Sequence, residues 1–118
     1  LVIPLPGHTR GHAGVALRQG EGWLLNAGDA YFFRKEMNDP PRCTPGLRFY
    51  QTMMEVDRPA RLTNQARLRA LANSPGAGVR IFCSHDAVEF EALARASTGH
   101  PSMQAPWRAE RPAERARA

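Results

Sequence analysis

Apolar positions in this chain fall into short runs cut by glycine and proline, not into one long amphipathic stretch. Leu1-Val2-Ile3-Pro4-Leu5 is continuous and apolar, which predicts a buried strand, and it leads straight into Pro6-Gly7-His8. Residues 14–18 and 22–26 follow as two short strands around Gln19-Gly20-Glu21, a spacing that predicts a hairpin. The second strand carries Trp23, Leu24 and Leu25, is expected to be interior, and ends at Ala27-Gly28-Asp29. Ala30-Tyr31-Phe32-Phe33 prolongs the apolar run and is expected in the core. From Arg34 to Arg42 charges and Pro40-Pro41 erase the periodicity, which predicts a loop; such a loop carries specificity where it borders a site and otherwise only connects.

Helical spacing begins at Thr44-Pro45, an N-cap and first-turn pair. Leu47, Tyr50 and Met54, with Phe49, Met53 and Val56, then form a stripe that is expected to face the core. A second helix is expected from Asp57 through Leu62, Leu68 and Leu71, stopping at Asn73-Ser74-Pro75-Gly76, with Arg58, Arg61, Arg67 and Arg69 on a solvated face. Val79 to Cys83 is the clearest late strand. It passes through Ser84-His85 into Asp86-Ala87-Val88-Glu89, which has the spacing of a capping box opening a last helix to about Ala96. Strands interleaved with helices in this way predict an α/β or α+β class. The organisation expected is one domain over residues 1–96 and a disordered Ala/Pro/Arg-rich tail over 97–118.

Composition narrows the function classes. At 118 residues the chain holds one domain at most. Of its net charge of +5, two units lie in the short tail, where Arg108, Arg111, Arg115 and Arg117 face only Glu110 and Glu114. With Trp107 the tail's sole aromatic residue, nucleic-acid binding is not expected. No window reaches the roughly 18 apolar residues needed to span a bilayer, and no basic-apolar-small leader opens the chain, so a soluble, cytoplasmic protein without membrane partners is expected. Cys43 and Cys83 are too few for a disulfide framework; Cys83 is expected to pack as a small apolar residue.

The remaining chemistry lies where apolar runs end. His8 and His12 in Pro6-Gly7-His8-Thr9-Arg10-Gly11-His12, Asp29 after Gly28, and His85 after Ser84 carry the side-chain types that ligate zinc and similar ions. Taken singly, His8 is as well explained as a turn residue, Asp29 as a strand-end carboxylate and His85 as a strand-end polar group; Asp86 is better explained as the helix cap. His100, beside Pro101 in the tail, has nothing to support it as a ligand.

Together, in this order, Pro-Gly-His-Thr-x-Gly-His, Gly-Asp and a strand ending in Ser-His-Asp resemble the second half of a metallo-β-lactamase-fold hydrolase over roughly residues 1–96. The form of the first motif is closer to the glyoxalase II and lactonase-like members than to true β-lactamases. The resemblance implies the C-terminal half of an αββα sandwich, with a mixed sheet and flanking helices. It implies that His8 ligates one metal ion and His85 a second, that Asp29 bridges the two as the catalytic carboxylate, and that His12 supports the ligands from behind. Two zinc ions are the expected cofactor, with iron or manganese as alternatives, and the implied reaction is hydrolysis of an ester, thioester, lactone or similar bond in a small-molecule substrate by metal-bound hydroxide. The family's principal motif, His-x-His-x-Asp-His, lies upstream in full-length members and does not occur here. The chain is therefore expected to be a fragment that binds metal weakly and is inactive alone, needing the missing N-terminal half or another chain. The competing expectation is a non-catalytic remnant or partner-dependent structural module.

Overall fold

The short apolar runs become strands of one sheet. In a computed structural model, which describes residues 1–98, β1 (Val2–Pro4), β2 (Ala13–Gln19), β3 (Gly22–Asn26) and β4 (Val79–Phe82) lie side by side in that order. β1 with β2 and β2 with β3 are antiparallel, and β3 with β4 is parallel. β1, β3 and β4 therefore run in one direction, and whatever follows each of them emerges at the same end of the sheet. Three helices, α1 (Pro45–Met54), α2 (Arg58–Ala72) and α3 (Ala87–Thr98), complete an α+β fold. Beyond Thr98 the expected tail, His100 included, lies outside the described residues. No helix among the described residues is long and apolar enough to cross a membrane.

Alternation along the strands sorts side chains to two faces. Leu5, Ala16, Leu25 and Cys83 are buried on one face with Leu68 of α2, and Ile3, Trp23, Leu71, Val79 and Ile81 pack around them. The intervening positions point the other way: Val2 is 71% exposed and Leu17 59%. Ala30, Tyr31 and Phe32 are buried as expected, and both cysteines are free, Cys83 buried and Cys43 partly so.

The helices differ from expectation in what they bury. The α1 stripe is not core: Phe49, Tyr50, Met53, Met54 and Val56 are all exposed, and the buried residue of α1 is Gln51. Spacing identifies an amphipathic helix but not which side is covered, and here the covered side is polar. Gln51 donates to both oxygens of Glu36 at 2.9 Å and accepts from Arg61 Nη1 and Gln65 Nε2. Likewise α2 turns inward Arg61, Asn64, Gln65 and Leu68, which share one face at i, i+3, i+4 and i+7. Arg61 thus leaves the expected solvated face because its guanidinium is bound to Glu55 and Gln51, while Leu62 is half exposed. Within the expected loop, Arg34–Met37 forms one 3-10 turn whose Glu36 and Met37 are buried.

Half of the capping box at α3 forms. Asp86 Oδ1 accepts from the Val88 and Glu89 amides, but Glu89 turns away to accept from the Cys83 amide and the Tyr31 hydroxyl.

Candidate metal centre

Three loops at the common end of β1, β3 and β4 build the site. The first follows β1 and is held in shape by its own backbone: the Leu5 amide donates to His12 O at 2.9 Å and the Gly7 amide to Thr9 O at 3.0 Å. Gly7 adopts φ +141°, and a Cβ there would fall 2.5 Å from the Arg61 backbone, so only glycine admits α2 this close. The Gly7 carbonyl accepts from the Val56 and Asp57 amides, both at 2.9 Å, which pins the α1–α2 junction to the loop.

The second loop follows β3. Asn26 Oδ1 accepts from the Gly28 amide, and Gly28 at φ +56° turns the chain so that the Asp29 amide donates to His12 Nε2 at 2.9 Å. Since that nitrogen accepts, the His12 proton sits on Nδ1, which donates to Leu5 O at 2.8 Å. Both ring nitrogens of His12 are thereby committed, and the ring ties β1's end to the backbone of Asp29. The third loop follows β4; the Ser84 amide donates to Gly28 O at 2.9 Å, and His85 stands on the turn into α3.

These loops bring His8, Asp29 and His85 together. His8 Nε2 lies 3.3 Å from Asp29 Oδ2, and His85 Nε2 lies 3.0 Å from Asp29 Oδ1. Each imidazole therefore addresses its own carboxylate oxygen. The Phe32 ring, buried, stands beside both histidines at 5.8 Å from His8 and 4.3 Å from His85 between ring centroids. Among the described residues no three such side chains converge on a single point; the arrangement is two nitrogen–oxygen pairs sharing one carboxylate. Two donors each about 2.1 Å from a tetrahedral zinc ion stand about 3.4 Å apart, so both pairs are close to the spacing such an ion needs. The donor set, imidazole nitrogen and carboxylate oxygen, suits zinc, iron or manganese.

The surroundings were the part least visible in sequence. Two carbonyls behind the loops that carry His8 and Asp29, Pro6 O and Ala30 O, accept from Asn64 and Gln65 of α2 at 2.8 and 2.9 Å. Polar positions in a helix rich in arginine read as solvent-facing, and only their shared spacing with Leu68 hints otherwise. Phe32 and Phe33 amides both donate to Glu36 Oε2, fixing the aromatic segment below the site. Asp86 is held below the usual carboxylate range: burial opposes its charge, but hydrogen bonds from the Arg34 and Glu89 amides outweigh it. Burial, with Glu89 beside it, pushes the Tyr31 hydroxyl up, and burial pushes the Cys83 thiol up to about 12, so Cys83 stays a neutral thiol. Beside His85 opens a cleft of about 390 Å³, lined by Phe32, Phe33, Leu47, Tyr50 and Val88, with Arg34 and Asp86 at its polar side.

A histidine–carboxylate–histidine cluster thus stands at the carboxyl ends of co-directional strands, the end of a sheet at which open α/β folds bind ligands. Over 86 residues the chain is 35% identical to two proteins named probable metallo-hydrolase, one from Mycobacterium bovis and one from Mycobacterium tuberculosis. The aligned stretch covers 73% of this chain and 28% of each relative, so the chain spans little more than a quarter of the curated relatives it matches. No family model matches the chain, and no solved structure matches it.

Proposed function

We propose that this chain is part of a metal-dependent hydrolase of the metallo-β-lactamase superfamily acting on a small molecule. The observation that carries the reading is the pairing of His8 and His85 with separate oxygens of Asp29. His8 would hold one ion and His85 the other, each through Nε2, with one Asp29 oxygen on each ion. Zinc bound there would lower the pKa of water to about 7 and polarise the bond to be cleaved. His12 holds the Asp29 backbone so that the carboxylate meets both imidazoles, and Phe32 shields the histidines from one side. The cleft beside His85 would receive the substrate, its aromatic walls suiting an apolar group next to an ester, thioester or lactone bond.

Three protein ligands are too few for two ions. The exposed apolar face at Val2, Val15 and Leu17 supports a second part of the proposal: more chain, or another chain, packs there and supplies the missing ligands. The relatives' greater length agrees with this. Two free cysteines agree with a cytoplasmic setting.

Zinc retained after equilibration and desalting, measured by mass spectrometry, tests the site. Completed with its missing ligands, the wild-type chain is expected to retain zinc, and Asp29→Ala and His85→Ala to lose most of it. Equal retention in all three would overturn the assignment. Retention without ester or lactone hydrolysis by the completed protein would favour the other reading, a metal-holding structural module.

A further inference from the structure

A second pocket, of about 320 Å³, shares no lining residue with the cleft beside His85. Five arginines line it, Arg42, Arg48, Arg58, Arg61 and Arg69, against a single carboxylate, Glu36. That carboxylate is already spoken for. It accepts from the Phe32 and Phe33 amides and, through both oxygens, from Gln51. Glu55, itself nearly inaccessible, pairs with both Arg58 and Arg61 and offsets one of their two charges, and Arg69 Nε donates to Glu36 O. Arg42 and Arg48 have no side-chain hydrogen bond or ion pair among the described residues.

Guanidinium groups gathered in a concavity repel one another, and low-dielectric walls focus their field on the space between. Arg61 is buried and fixed by Gln51 and Glu55, so part of the wall is rigid before any ligand arrives. Planar guanidinium forks match phosphoryl oxygens two at a time.

We propose that this pocket binds a small phosphoryl-bearing anion, with Arg42 and Arg48 taking its charge against the wall formed by Arg61 and Arg69. The volume is at the lower end of small-molecule sites, about 300–1,000 Å³, and exceeds what a bare phosphate needs. A phosphomonoester is therefore expected to bind more tightly than the free ion. None of the residues involved belongs to the His8–Asp29–His85 cluster, so binding here is independent of the metal-centre reading.

Isothermal titration of the 118-residue chain with inorganic phosphate and with phenyl phosphate, at matched ionic strength in sodium chloride, tests this. Saturable one-to-one binding is expected, weakened at least tenfold by Arg42→Ala with Arg48→Ala. Arg18→Ala with Arg80→Ala removes the same charge from exposed strand positions and is expected to change affinity less than twofold. Asp29→Ala is expected to leave binding intact, which separates this pocket from phosphate capture by a metal. Tighter phenyl phosphate assigns a phosphomonoester, and equal affinities assign the free ion; either keeps the pocket. No saturable heat, or equal weakening in the two arginine pairs, would overturn it.

Discussion

Gly28→Ala tests how the site is held together. The residue adopts φ +56°, and a Cβ there would lie 2.8 Å from His12 Nε2 and 3.4 Å from Cε1. Nε2 is the atom that accepts the Asp29 amide, so the imidazole must withdraw and that hydrogen bond must lengthen or break. Gly20 separates the two costs, for it has almost the same backbone, φ +58°, with nothing within 4 Å of a built Cβ. An alanine in the left-handed region costs about 1–2 kcal/mol, the whole loss expected for Gly20→Ala. Gly28→Ala adds a partly buried amide left without its acceptor, about 1–3 kcal/mol more. Urea unfolding followed by far-ultraviolet circular dichroism reads both losses. The extra term should vanish when Gly28→Ala is made together with His12→Ala, because no imidazole remains to displace. Equal losses for Gly28→Ala and Gly20→Ala, or no coupling to His12, would refute the proposed contact.

Two further predictions concern the polar interior. Gln51→Leu removes donors from Glu36 and acceptors from Arg61 and Gln65 and should lower the unfolding free energy by roughly 2–4 kcal/mol in urea titration, despite adding apolar area; a loss under about 0.5 kcal/mol would show the layer to be dispensable. Burial opposes the charge of Asp86 and Glu55, yet hydrogen bonds to Asp86 and the arginines beside Glu55 lower both below their ordinary 3.8 and 4.5. The unfolded chain then binds more protons in that range, so stability is present above it and lost as pH falls through it. Burial raises Glu89 above its ordinary 4.5, which gives the opposite sign, a loss as pH climbs past 4.5. Unfolding midpoints from pH 3 to 7 should show Asp86→Asn shrinking the acid loss and Glu89→Gln removing the loss above 4.5; unchanged profiles in both would refute the assignments.

The sheet, and the places where His8, Asp29 and His85 leave it, were legible because they rest on local signals. An apolar run such as Val79 to Cys83, broken only by the exposed Arg80, has few conformations that bury it, and Gly28 next to Asp29 marks a turn at the strand end. Burial was not legible in α1 and α2. Phe49 and Met53 share one side of a short helix and Gln51 lies on another, and which side faces inward depends on what else needs a partner there. The waiting partner was Glu36, in a segment whose sequence shows no periodicity at all. Glu89 shows the same limit at shorter range: its spacing from Asp86 fits a capping box, but the Cys83 amide and Tyr31 hydroxyl claim its carboxylate.

Those misreadings share one physical origin. A loop that presents a ligand at the end of a strand leaves the sheet's hydrogen-bond ladder, so its carbonyls need donors from elsewhere. Pro6 O and Ala30 O, just before His8 and just after Asp29, obtain them from Asn64 and Gln65, and Gly7 O from the amides that open α2. Leucines at 64 and 65 would bury more apolar surface but would leave two carbonyls orphaned beside His8 and Asp29, a cost of about 1–3 kcal/mol each. The inward face of α2 is therefore polar because it braces the backbone of the site, and α1 follows it through Gln51. Sequence periodicity records which residues share a face; it does not record that the surface opposite is a row of unpaired backbone groups.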